Sequence, residues 1–298
     1  MCAKIGIVAP SFFVEKETSF DRGLSTIKEI CYDIVMGEFV LSRYQNTTAP
    51  APQRADDINK MFADSSVDII LASDGGCRAI EVLPYLDYDL IAKSGKPICG
   101  FSDISHILLA ITAKTGCITI HGMDLINGFG DSESQQKATN IQCLFNVINK
   151  KRFKFPQFSP MKVLKHGTAK GYAIGGWLQS IHNLYGTEYF PRYQDTILFF
   201  EIIDTELHEI SMMLHNLRLK GCFDNVCGIL IGKLTNCNEE EYYDCIPSFE
   251  SILLEVTSGY SFPIVENLDF GHGQEHLSFP IGGIVHINTY TNTIIVNY

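Results

Sequence analysis

The sequence predicts an α/β protein: an N-terminal doubly wound parallel sheet followed by a smaller, β-rich C-terminal domain. Three observations carry this expectation. In the first half, short runs that are apolar on nearly every residue recur, as expected of strands covered on both faces. Between them lie stretches with helical spacing, and strand, helix and strand in repetition close into a parallel sheet through right-handed crossovers. Near Lys151 the pattern breaks at a charge cluster with two prolines, Lys-Lys-Arg-Phe-Lys-Phe-Pro-Gln-Phe-Ser-Pro, after which glycine-rich strands with fewer helices follow.

Taken in order, Ile5–Ala9, Glu38–Arg43, Val67–Ala72, Pro97–Phe101 and Ile118–His121 are the expected strands of an N-terminal unit, 1–150. Phe20–Met36, Arg54–Asp64, Ile104–Lys114 and Gln135–Lys150 are the helices between and after them. Residues 151–170 read as a linker, and 171–298 as the C-terminal unit. There Thr196–Ile202, Val226–Lys233 and Phe262–Asn267 are strand candidates, Glu206–Lys220 and Ser248–Thr257 helices, and Gly282–Tyr298 a closing hairpin around Thr289–Asn292. The chain has no internal repeat and no low-complexity tract.

Composition narrows the function. A net charge of −11, from 34 acidic against 23 basic residues, argues against a nucleic-acid partner, which needs a basic face to neutralise phosphates. No apolar run approaches the roughly 20 residues of a membrane span. Met1–Pro10 reads as a short strand with no signal-peptide pattern, so the expected location is cytoplasmic. The 10 cysteines are scattered, mostly inside apolar runs, and no CxxC pair occurs; they read as buried reduced thiols. The spacing of Cys222, Cys227, Cys237 and Cys245 fits no standard zinc knuckle.

Two segments carry candidate chemistry. Lys-Pro-Ile-Cys-Gly-Phe-Ser-Asp-Ile-Ser-His places Ser102 where a buried strand turns into a helix, which lifts a nucleophile clear of the sheet. Gly100 lets the chain bend closely there, and the carboxyl edge of the sheet is where ligands bind in open α/β folds. The competing reading is that Ser102 caps the helix. Gly75-Gly76, at the end of the third strand, permits backbone approach to a ligand and offers an N–H for an oxyanion, or is an ordinary tight turn. His272-Gly-Gln-Glu-His276 matches the inverted zinc-protease pattern, but that pattern requires a helix, and the flanking glycines and Pro280 oppose one. A glycine-flanked His272 on a loop suits a general base instead, with His276 at the rim or in solvent. No metal or organic cofactor is implied.

Val-Leu-Pro-Tyr-Leu-Asp-Tyr-Asp-Leu-Ile, Gly-Phe-Ser-Asp-Ile, Thr-Ile-His-Gly, Ile-Leu-Phe-Phe-Glu, Leu-Arg-Leu-Lys-Gly-Cys-Phe-Asp-Asn-Val-Cys-Gly-Ile-Leu-Ile-Gly-Lys, Phe-Gly-His-Gly and Phe-Pro-Ile-Gly follow one another along the chain. In that order and at those separations they resemble the LD-carboxypeptidase family of serine peptidases. The resemblance covers nearly the whole chain. It implies a Ser-Glu-His triad of Ser102, Glu201 and His272, with Ser102 on the N-terminal domain and the other two on the C-terminal domain. It implies amide hydrolysis of a small peptide, or of an aminoacyl-nucleotide analogue as in the microcin C immunity branch, by a homodimer. Asp-Tyr-Asp-Leu-Ile, Gly-Phe-Ser-Asp and Ala-Lys-Thr-Gly lean toward that branch, where Tyr185 would stack on a base or ring.

The backbone N–H groups of Gly76 and Asp103 are the expected oxyanion donors. Gly75, Cys77, Arg78, Trp177 and Tyr185 are the expected pocket residues. The chain departs from the family's pattern there: Gly75-Gly76-Cys77-Arg78-Ala79 stands where Gly-Gly-Tyr-(Gly/Asn)-Ser is usual, Trp177 where Asn is usual, and Met123 where Pro is usual. These departures favour a changed substrate, or a non-catalytic protein that sequesters a peptide or nucleotide-like ligand.

Overall fold

The apolar runs of the first half pair as parallel strands. β1 (Lys4–Val8), β2 (Asp33–Met36), β3 (Ile69–Ala72), β4 (Ile98–Gly100) and β5 (Thr119–His121) lie side by side in the order β5-β4-β3-β1-β2. The computed structural model describes residues 4–30, 32–131, 134–237 and 247–298, so Cys2, Cys31 and Cys245 lie outside the described residues. Alternation along β3 shows how the sheet is covered. Ile69 and Leu71 enter one core with Phe20 and Ile27 of α1 (Glu17–Glu29), while Ile70 and Ala72 enter another with Ile58 of α2 (Ala51–Ala63). α3 (Tyr88–Ser94) and α4 (Ser105–Thr115) add to the second core through Ile91 and Leu108; α5 (Lys137–Ile148) adds Leu144 and Val147 to the first. Each such side chain contributes about 1.5–3 kcal/mol on burial.

One expected strand is misplaced. Glu38–Arg43 forms turns, and the strand is β2, inside the stretch read as the end of the first helix. β2 is the sheet's edge, with no residue fully buried, so it lacks the apolar signature of its neighbours. The turn is fixed by Asp57, whose carboxylate accepts the N–H groups of Glu38 and Phe39 at 3.0 and 2.9 Å.

The second half builds an eight-stranded sheet. After β6 (Phe153–Lys154) and β7 (Lys162–Lys165) come β8 (Thr168–Trp177), α6 (Leu178–Leu184), β9 (Thr196–Ile203), α7 (Leu207–Leu219), β10 (Val226–Thr235), α8 (Phe249–Val256) and β11 (Ile264–Glu266). β12 (Phe279–Ile281) and the hairpin β13 (Ile284–Asn288) and β14 (Thr293–Asn297) close the chain. The sheet order is β6-β14-β13-β8-β9-β10-β11-β7. The segment read as a linker therefore supplies both edge strands, and charges and prolines are what edges tolerate. β8 escaped prediction because its glycines hide its pattern; a Cβ at Gly175 would sit 1.7 Å from the Phe199 carbonyl oxygen.

β12 does not belong to this sheet. It pairs antiparallel with β5, Phe279 opposite His121 and Ile281 opposite Thr119, as the sixth strand of the first sheet. The boundary expected at residue 150 thus does not separate the sheets. This return carries the loop that precedes β12, with His272 on it, to the carboxyl edge of the first sheet. Among the described residues, no helix is long and apolar enough to cross a membrane.

Candidate active site

Between β4 and α4 the chain makes a strained turn. Phe101 is extended, Ser102 adopts a left-handed φ of 57°, and a 3₁₀ turn, Ser102–Ile104, leads into α4. That conformation costs a non-glycine residue about 1–2 kcal/mol. Gly100 makes the fold-back feasible, since a Cβ there would meet Ile104 Cγ2 at 2.8 Å. Neither the 3₁₀ turn nor α4 has a side-chain cap at its start, so Ser102 does not serve as a helix cap.

The turn after β3 lies directly against Ser102. A Cβ on Gly75 would be 2.8 Å from Ser102 Cβ and 3.1 Å from its Oγ. Gly76 has a φ of 143°, and a Cβ there would strike Ser11 Oγ. The buried Asp103 carboxylate ties these pieces together. Its Oδ2 accepts from Ser11 Oγ at 2.6 Å and from the Ala79 N–H at 2.7 Å, while Oδ1 lies 3.1 Å from His106 Nδ1. Burial works to raise the Asp103 pKa, but His106, Ser11 and Ala79 outweigh it and hold the carboxyl below its usual range.

Glu201 and His272 arrive from the second half. Glu201 sits within β9, fully buried, and His272 Nδ1 lies 2.7 Å from its Oε2. The close approach requires Gly271: with φ 92°, it passes where a Cβ would stand 2.4 Å from Glu201 Cγ. Thr235 Oγ1 donates to the His272 carbonyl, and the Phe101 ring packs 4.9 Å from the imidazole. Burial pulls the His272 pKa down, yet the charge and hydrogen bond of Glu201 prevail and hold it above the ordinary value.

Ser102, Gly75, Gly76 and His272 all line one cleft of about 750 Å³, within the range of ligand pockets. Its floor includes Asn127, which donates to Asp74 at 2.8 Å and to the buried Asp124 at 2.9 Å. Burial first, and Asp74 second, push the Asp124 carboxyl up to about 8.

The LD-carboxypeptidase N-terminal domain matches residues 5–122, and the LD-carboxypeptidase C-terminal domain matches residues 170–287. The chain belongs to the LD-carboxypeptidase family. A Bacillus subtilis (strain 168) member described as "Probable murein peptide carboxypeptidase" is 26% identical, over 98% of this chain and 91% of its own length. The Escherichia coli microcin C7 self-immunity protein MccF is 26% identical, over 90% of this chain and 85% of its own. The fold matches the solved structure of MccF in complex with aspartyl sulfamoyl adenosine, with a TM-score of 0.90, 23% identity, and coverage of 100% of this chain and 96% of that one.

Set against this family's pattern, four of the expected pocket residues do not line the cleft. Cys77 takes a bond from Asn46, and Arg78 is held by Glu81 at 2.7 Å and by Gln45 and Asn46. Trp177 ends β8, donates its backbone N–H to Ser105 Oγ at 3.1 Å and packs its ring edge-on to His106. Tyr185 lines a separate cavity of about 660 Å³ against Phe190. Cys77 and Arg78 follow the cleft glycines Gly75 and Gly76 but turn away from it, while Trp177 and Tyr185 pack elsewhere. His276, expected at the rim, is instead buried behind Phe101 and lines the cleft, and burial pushes its pKa down to about 4. Glu275, in the same motif, bonds Ser134 and Asn140. Lys16, Arg22, Asp74 and Asn127 also line the cleft and went unread, because they come from a helix start and two loops with no local motif.

Proposed function

We propose that this protein hydrolyses an amide bond of a small peptide-like substrate by acyl transfer, with Ser102 as nucleophile, His272 as general base and Glu201 orienting it. The observation that carries this reading is the 2.7 Å contact of His272 Nδ1 with Glu201, made at the same cleft as the strained Ser102. With Nδ1 committed to Glu201, Nε2 is the nitrogen left to take the Ser102 proton. Ser102 Oγ adds to the substrate carbonyl, and the oxyanion is held by the N–H groups of Asp103 and Gly76. The Gly75 N–H is already given to Asp74 at 2.8 Å. As the C–N bond breaks, the imidazolium protonates the leaving amine. A water, losing its proton to His272, then adds to the ester, and collapse returns that proton to Ser102. Losing one oxyanion donor costs about 2.7–4 kcal/mol in the transition state.

The relatives named for murein peptide and for microcin self-immunity supply the two substrate classes to test. The peptide is the first: a murein tetrapeptide ending in D-alanine. The second is an aminoacyl-sulfamoyl adenosine. Seven described cysteines are unpaired thiols, which suits work in a reducing cytoplasm. Incubation with each substrate, followed by mass spectrometry beside Ser102→Ala, tests the reading. We expect release of the terminal residue by the wild type and a loss of at least about 10³-fold in the variant. Near wild-type turnover by Ser102→Ala would overturn it. Tight binding of either ligand with no turnover by the folded wild type would support a sequestering protein instead.

A further inference from the structure

We propose that Lys16 and Arg22 form the subsite for an anionic group of the substrate, the free carboxylate of a peptide's terminal residue. This rests on the reading above and names what that site recognises.

The cleft is lined by charges of both signs. Three acidic residues line it, and each already accepts from protein donors. Asp74 Oδ1 takes the Gly75 N–H and Asn127 Nδ2, both at 2.8 Å. Asp131 Oδ2 takes the Ser134 N–H at 3.1 Å, and Glu275 Oε2 takes Ser134 Oγ and Asn140 Nδ2, both at 3.0 Å. The two cations are likewise hydrogen-bonded to neutral groups. Lys16 Nζ lies 3.4 Å from the neutral amide oxygen of Asn127, and Arg22 Nη1 donates to the Gly130 carbonyl at 2.7 Å. Neither makes an ion pair among the described residues. Some lysines in this acid-rich chain do pair with carboxylates: Lys60 with Asp56 and Glu38, Lys114 with Glu188, Lys162 with Glu250. Lys16 is exposed and Arg22 half-buried, and both keep donors that an anion entering the cleft of Ser102 and His272 can take.

The scaffold favours the same charge. Lys16 immediately precedes α1, whose start has no side-chain cap, and Ser19 of its first turn also lines the cleft. The positive end of the α1 dipole adds to Lys16, partly offset by Glu17 in the same turn. α1 is pressed into place at Gly130, where a Cβ would stand 2.1 Å from the Ser19 carbonyl oxygen. With one nitrogen fixed on Gly130, the guanidinium is held in advance for a carboxylate, and its remaining donors form a fork.

A phosphate or sulfamate of an aminoacyl nucleotide carries the same chemistry, so the test has two arms. In the first, a peptide with a free terminal carboxylate is compared with its carboxamide; in the second, aminoacyl-sulfamoyl adenosine is the substrate. Each is measured with the wild type, Lys16→Gln, Arg22→Gln and Arg22→Lys. We expect the carboxamide to be the poorer substrate. Arg22→Gln should raise KM for the acid about 10- to 100-fold with a smaller change in kcat, leave the carboxamide unchanged, and be partly rescued by Arg22→Lys. Equal hydrolysis of acid and amide by the wild type, or an equal loss on both in Arg22→Gln, would overturn the subsite. Dependence on Arg22 in the nucleotide arm alone would overturn the carboxylate assignment. Calorimetric binding of acid and amide to Ser102→Ala gives the same comparison without turnover: a preference for the acid supports the subsite even if hydrolysis fails, and equal affinity refutes it.

Discussion

Ser102 stands just past the end of β4 with a left-handed backbone at the cleft surface, whereas Glu201 stands inside β9 with no exposed surface. The two sheets thus present their groups by opposite means. On the proposed assignment Ser102 is a nucleophile that must reach the substrate, which fits its leaving the ladder of the sheet and accepting backbone strain. Glu201, proposed to orient the base, has to stay clear of substrate and solvent, and it remains in the ladder between β8 and β10 with its carboxylate buried. One half of the site stores strain and the other stores a buried carboxylate. Substitutions in the two halves should therefore fail differently.

The largest effect is expected from Glu201→Gln. The amide keeps the shape of the side chain but removes the charge that favours the imidazolium and fixes its tautomer. By the behaviour of such triads kcat should fall about 10⁴-fold, measured on whichever substrate the wild type cleaves, with little change in KM. A fall under tenfold would separate Glu201 from the mechanism.

The same variant should move the acid limb of the pH profile. In the wild type the His272 pKa is raised above 6.5, so kcat/KM falls as pH drops through that raised value. In Glu201→Gln burial is opposed only by the more distant charges of Asp124 and Asp204, and the limb should shift to lower pH. Stability runs the other way. A raised folded pKa means that the pair's contribution is fully present below the unfolded pKa and is lost as pH rises through the folded one. The stability difference between wild type and Glu201→Gln should hence be greatest in acid, where the base is protonated and inactive. A pH-independent difference in denaturation midpoint would contradict the linkage.

Next in size is Gly271→Ala, which tests how tightly the second half is built. The new methyl meets Glu201 Cβ and Cγ at 2.5 and 2.4 Å and sits at a φ of 92°. Overpacking and strain together should cost about 2–4 kcal/mol, read from chemical denaturation. Gly95→Ala is the control: its φ is 62° with nothing within 4 Å, so it should cost only about 1 kcal/mol. Equal costs would mean that the His272 loop adjusts freely around Glu201.

What could be read from the sequence divides along the same line. Ser102 follows a fully apolar strand and His272 lies between glycines, so local pattern marks both. Lys16 reaches the cleft from just before α1 and Arg22 from within it, where nothing nearby in sequence announces chemistry. β12 was missed because Phe-Pro-Ile is short and holds a proline, which an edge strand accepts without loss of a ladder bond. β2 was missed for the opposite reason: an edge strand is not apolar on both faces. The expectation for Trp177 and Tyr185 comes from the family's pattern and not from the chain's own packing, which places both away from the cleft. The end of β8 turns Trp177 toward Ser105, and α6 carries Tyr185 into another cavity. Burial of His276 depends on Phe101, a residue 175 positions earlier, and no window of sequence contains both.

The smallest expected effect bears on the strain itself. Ser102→Gly and Ser102→Ala both remove the nucleophile, and both should be inactive. They differ in the backbone. Ala keeps a Cβ at φ 57°, so its turn remains strained, whereas Gly occupies that region freely. Relief of about 1–2 kcal/mol is offset by the greater freedom that glycine gives the unfolded chain, about 0.5–1 kcal/mol. Ser102→Gly should therefore be more stable than Ser102→Ala by up to about 1 kcal/mol, seen as a higher denaturation midpoint at unchanged slope. An Ala variant as stable as the Gly variant would show that the turn is not under strain, and the contrast between the two halves would then rest on the buried carboxylate alone.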